Sequence, residues 1–474
     1  MNAKPSAPPS SPAPSGALAC LALTMLLSSL GTSIANVGLP TFVHAFDAPF
    51  QSVQWVVLAY LLAVTTLVVS AGRLGDLFGR RRLMLLGIAT FTLASLACAT
   101  APSLWLLIAA RAGQGFGAAM MMALTMALVG ESVPKERAGR AMGLLGTTSA
   151  VGTALGPSLG GVLIGAFGWQ VIFLINLPLG LLATSLAWRY LPRDRSNANA
   201  SGFDLPGSLL LASALAAYSL AMTLGRGHFG VVNLALAAVA VVLGLVFLVV
   251  EAKARSPLVQ PALFRERLVG TGFVASGLAT TVAMTTLVVG PFYLSGALHL
   301  DATVIGLVMS AGPLVAALVG IPAGKAVDSF GALRMTVVGL LSMAAGAFLL
   351  SRMTIDGGAL GYVIALVVLT SGFATFQAAN NTAVITGTAP SQRGIVSGLL
   401  NLSRNLGLVT GASLMGAVFM HAAGTSAITS ANTTAVVSGT HAVFLLATLL
   451  IAIALAVVVG PQLRMAAASF NRTR

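Results

Sequence analysis

The sequence predicts an all-α polytopic membrane protein, and three observations carry that expectation. Only 8% of the 474 residues are charged while 57% are hydrophobic, too little polar surface to clothe a soluble globule and so against a soluble enzyme. Apolar runs long enough to cross about 30 Å of hydrocarbon as helix recur almost to the end of the chain. Basic residues collect in the tails and in alternate connections between those runs, the distribution that orients a membrane chain. For that reason the net charge of +14 reads as topological rather than as a footprint for nucleic acid.

The elements follow in order. Residues 1–16 hold five prolines and no apolar stretch, which predicts a disordered tail. Runs at 17–43, 52–72, 83–101, 104–130, 139–165 and 170–190 give six spans. Two more, 206–224 and 231–250, form a hairpin, and 268–297, 303–323, 335–352, 358–386, 395–421 and 440–462 complete a total of fourteen. Arg80, Arg81, Arg82, Lys135, Arg137, Arg140, Arg193, Arg195, Lys253, Arg255, Arg265, Arg267, Lys325, Arg334 and Arg393 all fall after even-numbered spans, whereas Arg226 and Arg352 interrupt the other side. Both termini are therefore expected in the cytoplasm. Cys20 and Cys98 lie in apolar runs and imply no disulfide framework.

The chain repeats itself. Gly143-Leu144-Leu145, Gly152, Gly156, Ser158-Leu159 and Gly161 return as Gly398-Leu399-Leu400, Gly407, Gly411, Ser413-Leu414 and Gly416. The loop Gly72 to Arg80 has a weaker echo in Gly324 to Gly331. Such a repeat predicts two equivalent six-span halves around the extra hairpin. The expected organisation is a tail (1–16), an N-terminal bundle (17–190), a linker with the hairpin (191–267), a C-terminal bundle (268–462) and a cytoplasmic tail (463–474).

At these residues the sequence resembles the major facilitator superfamily, and the 6+2+6 plan resembles its fourteen-span drug:proton antiporter branch. Gly72 to Arg82 matches the family's cytoplasmic G-x-L-x-D-x-x-G-R-R-R loop, Arg111 to Gly117 its R-x-x-Q-G-x-G element, and Gly152 to Gly161 the span-5 signature associated with antiporters. The resemblance implies a conformational switch built on Gly72, Asp76, Gly79, Arg80 and the echoing Asp328, with Asp76 meeting a helix end of the opposite half. It also implies an antiporter-type helix at Gly152, Gly156, Pro157, Gly160 and Gly161, where small residues permit close helix approach. One departure stands out: in the span-1 signature, Gly31 occupies the position of the family's membrane-embedded aspartate.

Candidate cavity residues are the polar groups inside spans: Asn36, Tyr60, Arg111, Gln114, Gln377, Asn380, Asn401 and Arg404. A cation buried in a span faces a cavity or pairs with backbone carbonyls, and both readings stand for Arg111. Gln114 shares its face at i+3, as Asn401 does with Arg404. Met120, Met121 and Met122 offer an adaptable wall but cannot share one face. The histidines His44, His228, His299, His421 and His441 map near external loops, as interfacial residues or as sensors of external pH.

These features predict a secondary active exporter of small amphipathic molecules by alternating access, proton-linked, in a bacterial inner membrane and functional as a monomer. An uptake carrier or uncoupled facilitator is the alternative, because Gly31 removes the usual acid. With arginines and no central carboxylate in the spans, neutral or anionic solutes are the expected substrates. A membrane sensor or membrane enzyme is the reading of another class; neither a G-x-x-x-x-G-K-[ST] loop nor an H-E-x-x-H motif is present. The expected partners are a small molecule, protons and lipid, with no cofactor, metal or nucleic acid.

Overall fold

The computed structural model describes residues 14–132, 135–194, 205–224, 230–253, 266–388, 393–424 and 433–472. The described residues are helical apart from short connections, with no strand among them. Most of the tail 1–16, together with Arg195, Arg226, His228, Arg255 and Arg265, lies outside the described residues.

The first group of helices is α1 (Pro14–Val37), α2 (Leu39–Ala45), α3 (Phe50–Val53), α4 (Trp55–Phe78), α5 (Arg80–Ala99), α6 (Leu104–Ser132), α7 (Lys135–Phe167), α8 (Val171–Leu174) and α9 (Asn176–Tyr190). The hairpin is α10 (Leu205–Thr223) and α11 (Val231–Lys253). The second group is α12 (Arg267–Gly296), α13 (Ala302–Phe330), α14 (Ala332–Ser351), α15 (Gly358–Thr386), α16 (Arg393–Ala423) and α17 (Thr433–Arg472). Helix α1 begins at Pro14, inside the expected tail, because proline at a first helical position gives up no hydrogen bond. Helix α17 runs past the expected limit at 462 to Arg472.

Among the described residues, twelve helices are long and apolar enough to cross a membrane, while those containing Val151–Phe167 and Leu209–Met222 have shorter apolar stretches. The count of fourteen is thus not confirmed. Alternation along the chain puts the start of α1, the end of α17 and the α4–α5 and α13–α14 corners on one side, called here the terminal face.

The internal repeat is visible in the backbone. Gly79 and Gly331 precede α5 and α14 with φ of 98° and 87°, a region in which a β-carbon is strained. On α7, Gly152, Gly156 and Gly160 press against α1; on α16, Gly407 and Gly411 press against α12. The missing side chains bring helix backbones together, which in lipid gains dispersion contacts where apolar burial gains little.

Hairpin residues Leu211, Leu215 and Phe247 form an apolar cluster with Val269, Phe273, Val384, Val396, Leu399 and Leu400. Tyr218 of α10 also hydrogen-bonds with Thr410 of α16. Helix α10 therefore packs against the second half and also touches α4 of the first half, while α11 packs mainly on α10.

Candidate functional site

Arg111 is fully buried in α6. Its Nε donates to the Val56 carbonyl at 2.9 Å and its Nη2 to the Gly31 carbonyl at 3.0 Å. Nη1 donates to Gln114 Oε1, and Gln114 Nε2 donates onward to Ser95 Oγ at 2.7 Å. The guanidinium lies 4.3 Å from the centre of the Tyr60 ring, within the range of a cation–π contact. Tyr60 in turn donates to the Ser28 carbonyl at 2.7 Å. One cation thereby ties together α1, α4, α5 and α6.

Arg111, Gln114 and Tyr60, expected to line a substrate cavity, are enclosed in this structure. All three have no exposed surface, and the carbonyl-pairing reading of Arg111 is the one the geometry matches. The physical reason is that a desolvated guanidinium lowers its free energy most by filling its fork of donors. Asn36 is also buried: its Nδ2 donates to Thr32 and Ser33 of its own helix, leaving Oδ1 without a partner among the described residues. Met121 is buried and Met120 and Met122 pack partly against the same core.

The second half contrasts with this. Asn380 Nδ2 donates to the Gly272 carbonyl at 3.2 Å, so it joins α15 to α12. Gln377, one turn away, keeps both amide atoms buried without a partner among the described residues. Arg404 is partly exposed. No hydrogen bond or ion pair joins it to another described residue. The side chain of Asn401 lies outside the described residues. The polar groups expected to share one cavity therefore divide into a sealed cluster in the first half and a looser set around α12.

The halves meet on the side away from the terminal face. A β-carbon on Gly161 would stand 2.6 Å from the Ala302 carbonyl and from Gly306 Cα, and one on Gly306 would stand 2.6 Å from the Pro157 carbonyl. Gln54 Nε2 donates to the Ala412 carbonyl, while Phe50 packs edge-on to Phe292 with ring centres 4.6 Å apart and tilted on Phe419 at 6.3 Å. Thus the span-5 glycines do two jobs: Gly152, Gly156 and Gly160 pack within their half, whereas Gly161 crosses the seam, as its equivalent Gly416 does against Gln54.

At the terminal face, a β-carbon on Gly72 or Gly324 would meet nothing within 4 Å. Phe78, Phe330 and Asp328 are exposed. The Asp76 side chain lies outside those described. Arg80 reaches the Ala127 carbonyl at 3.4 Å. A residue the motifs did not single out completes this corner: Asp194 accepts from the backbone N–H groups of Arg81 at 2.8 Å and Arg82 at 3.2 Å. It places a carboxylate at the positive end of α5. Its only sequence signal was the Arg193-Asp194-Arg195 run.

Comparison with known proteins agrees with this architecture. The chain matches the family described as Major Facilitator Superfamily over residues 21–270 and 271–468. It belongs to that superfamily. Similar members of the superfamily include the riboflavin transporter RibZ of Clostridioides difficile, 30% identical with 85% of this chain and 87% of that protein covered. The multidrug resistance protein Stp of Mycobacterium tuberculosis is 31% identical, with coverage of 84% and 75%. The methylenomycin A resistance protein of Streptomyces coelicolor is 31% identical, with coverage of 85% and 86%. Among solved folds, an inward-facing bacterial homologue of the human lysosomal transporter Spinster aligns with a TM-score of 0.69 at 16% identity, covering 95% and 97% of the two chains. The multidrug resistance proteins among these relatives are consistent with the drug:proton antiporter branch of the superfamily.

Proposed function

We propose that this superfamily member exports small amphipathic molecules by alternating access, using the proton gradient of a bacterial inner membrane. The observation that carries this reading is the one-sided seam: Gly161 against Gly306 and Phe50 against Phe292 join the halves away from the terminal face, while Gly72 and Gly324 have open space around them. With both termini cytoplasmic, this arrangement is an inward-open state ready to receive cargo from the cell. The names of the resistance proteins among the relatives support export. In this reading the fourteen-span 6+2+6 plan and its domain limits hold, the monomer is the working unit, and the Gly72–Arg80 loop and Asp328 act in the switch.

A second reading, an uptake carrier or facilitator, is favoured by Gly31 in place of the span-1 acid and by the riboflavin transporter among the relatives. Purified protein in liposomes with an imposed pH gradient separates the two. Export predicts accumulation of dyes or antibiotics against their gradient only when protons flow the opposite way. Gradient-independent equilibration would support the facilitator.

A further inference from the structure

Two arginines lie inside the spans, and the structure treats them in opposite ways. Arg111 is enclosed, with carbonyl and amide partners for its fork. Arg404 is partly exposed and has no hydrogen-bonding or ionic partner among the described residues. A guanidinium in a membrane helix without an internal partner carries a large solvation requirement, met by water or by a ligand.

Its direction follows from its neighbours on α16. Ser403 donates to the Phe273 carbonyl at 2.5 Å, and Gly407 and Gly411 lie against α12. Ala412 and Gly416 meet Gln54 of the first half. At about 100° per residue, position 404 falls between the α12-facing side and the side that meets the first half. That is the gap between the halves, which the seam closes at the far end.

A second unsatisfied group lies within about one helical turn of the depth of Arg404. Asn380 and Ser403 bond to the consecutive carbonyls of Gly272 and Phe273, so α15 and α16 are in register across α12 there. Gln377 lies one turn from Asn380, and both of its amide atoms are buried without a partner. A cation and a donor amide about one helical turn apart in depth, on the half opposite the sealed Arg111 cluster, suit a ligand bearing one negative charge and neutral hydrogen-bonding groups.

We infer that Arg404 is the specificity-determining residue for an organic monoanion, such as an aromatic carboxylate, captured from the terminal face, with Gln377 as its hydrogen-bonding partner. This rests on the export reading for its physiological meaning, but binding to the detergent-solubilised protein is independent of transport direction. A failed export assay and a failed anion site are therefore distinguishable.

The test is a matched pair of probes, 1-naphthaleneacetate and its neutral amide, titrated against the intact purified protein by intrinsic fluorescence. A charge-assisted contact predicts that the acid binds about tenfold or more tightly than the amide. Arg404→Gln should erase the preference, Arg404→Lys should keep part of it, and Gln377→Leu should weaken the acid without reversing the order. Arg404→Cys should lose the preference and regain it on aminoethylation, a rescue that a folding defect would not show. Equal binding of acid and amide, no saturable binding of the acid, or an intact preference in Arg404→Gln would overturn the inference.

Discussion

Arg111 donates from Nη2 to the carbonyl of Gly31 at 3.0 Å. The position where the family places an acid thus meets the buried cation with its backbone instead of a side chain. A β-carbon there would stand 3.2 Å from Tyr60 Oη and 3.3 Å from the Phe91 ring, so the glycine leaves room for both rings. The charge inside the first half is balanced by dipoles rather than by a carboxylate.

Replacing Arg111 by alanine should act first on stability. It strands the Val56 and Gly31 carbonyls and the Gln114 amide, a loss on the order of 2–4 kcal/mol. Thermal unfolding in detergent should fall for Arg111→Ala and, because a lysine cannot fill the fork, also for Arg111→Lys. Unchanged unfolding temperatures with abolished transport would instead favour direct action on substrate.

Introducing Gly31→Asp should create an ion pair with Arg111 inside the bundle and leave cargo charge selection unchanged, since the new carboxylate points at Tyr60 and Phe91 rather than into the gap. The ratio of cationic to neutral dye export in vesicles measures this. A marked gain for the cation would show that the first-half cluster reaches the substrate after all.

The seam offers a mechanical test. Gly161→Val would collide with the Ala302 carbonyl and Gly306, so closure of the far side should fail while helix packing on α1 persists. Transport should drop by about tenfold or more, and spin-label distances across the far side should lengthen. A normal rate in this variant would remove the seam from the cycle.

Asp194→Ala should loosen the start of α5. Losing a carboxylate that accepts two backbone N–H groups costs about 0.5–2 kcal/mol at a helix N-terminus. Hydrogen exchange at residues 81 and 82 should speed up, with Asp194→Asn intermediate. Unaltered exchange at both amides would show that the contact is dispensable.

Several parts of the protein were legible in its residues alone. Long apolar runs dictate helices because no other open chain satisfies its backbone in lipid. The repeated glycines of 152–161 and 407–416 marked two equivalent helices, and the structure packs each against the first helix of its half. Tertiary structure alone decided which polar group does what. Arg111 and Arg404 look alike in sequence, each a lone cation in an apolar span, yet one finds the carbonyls of Gly31 and Val56 and the other finds no such partner among the described residues. Backbone carbonyls carry no sequence signature, and their positions depend on which helices cross and at what height. The same holds for Gly161, whose role at the seam exists only because Gly306 stands opposite.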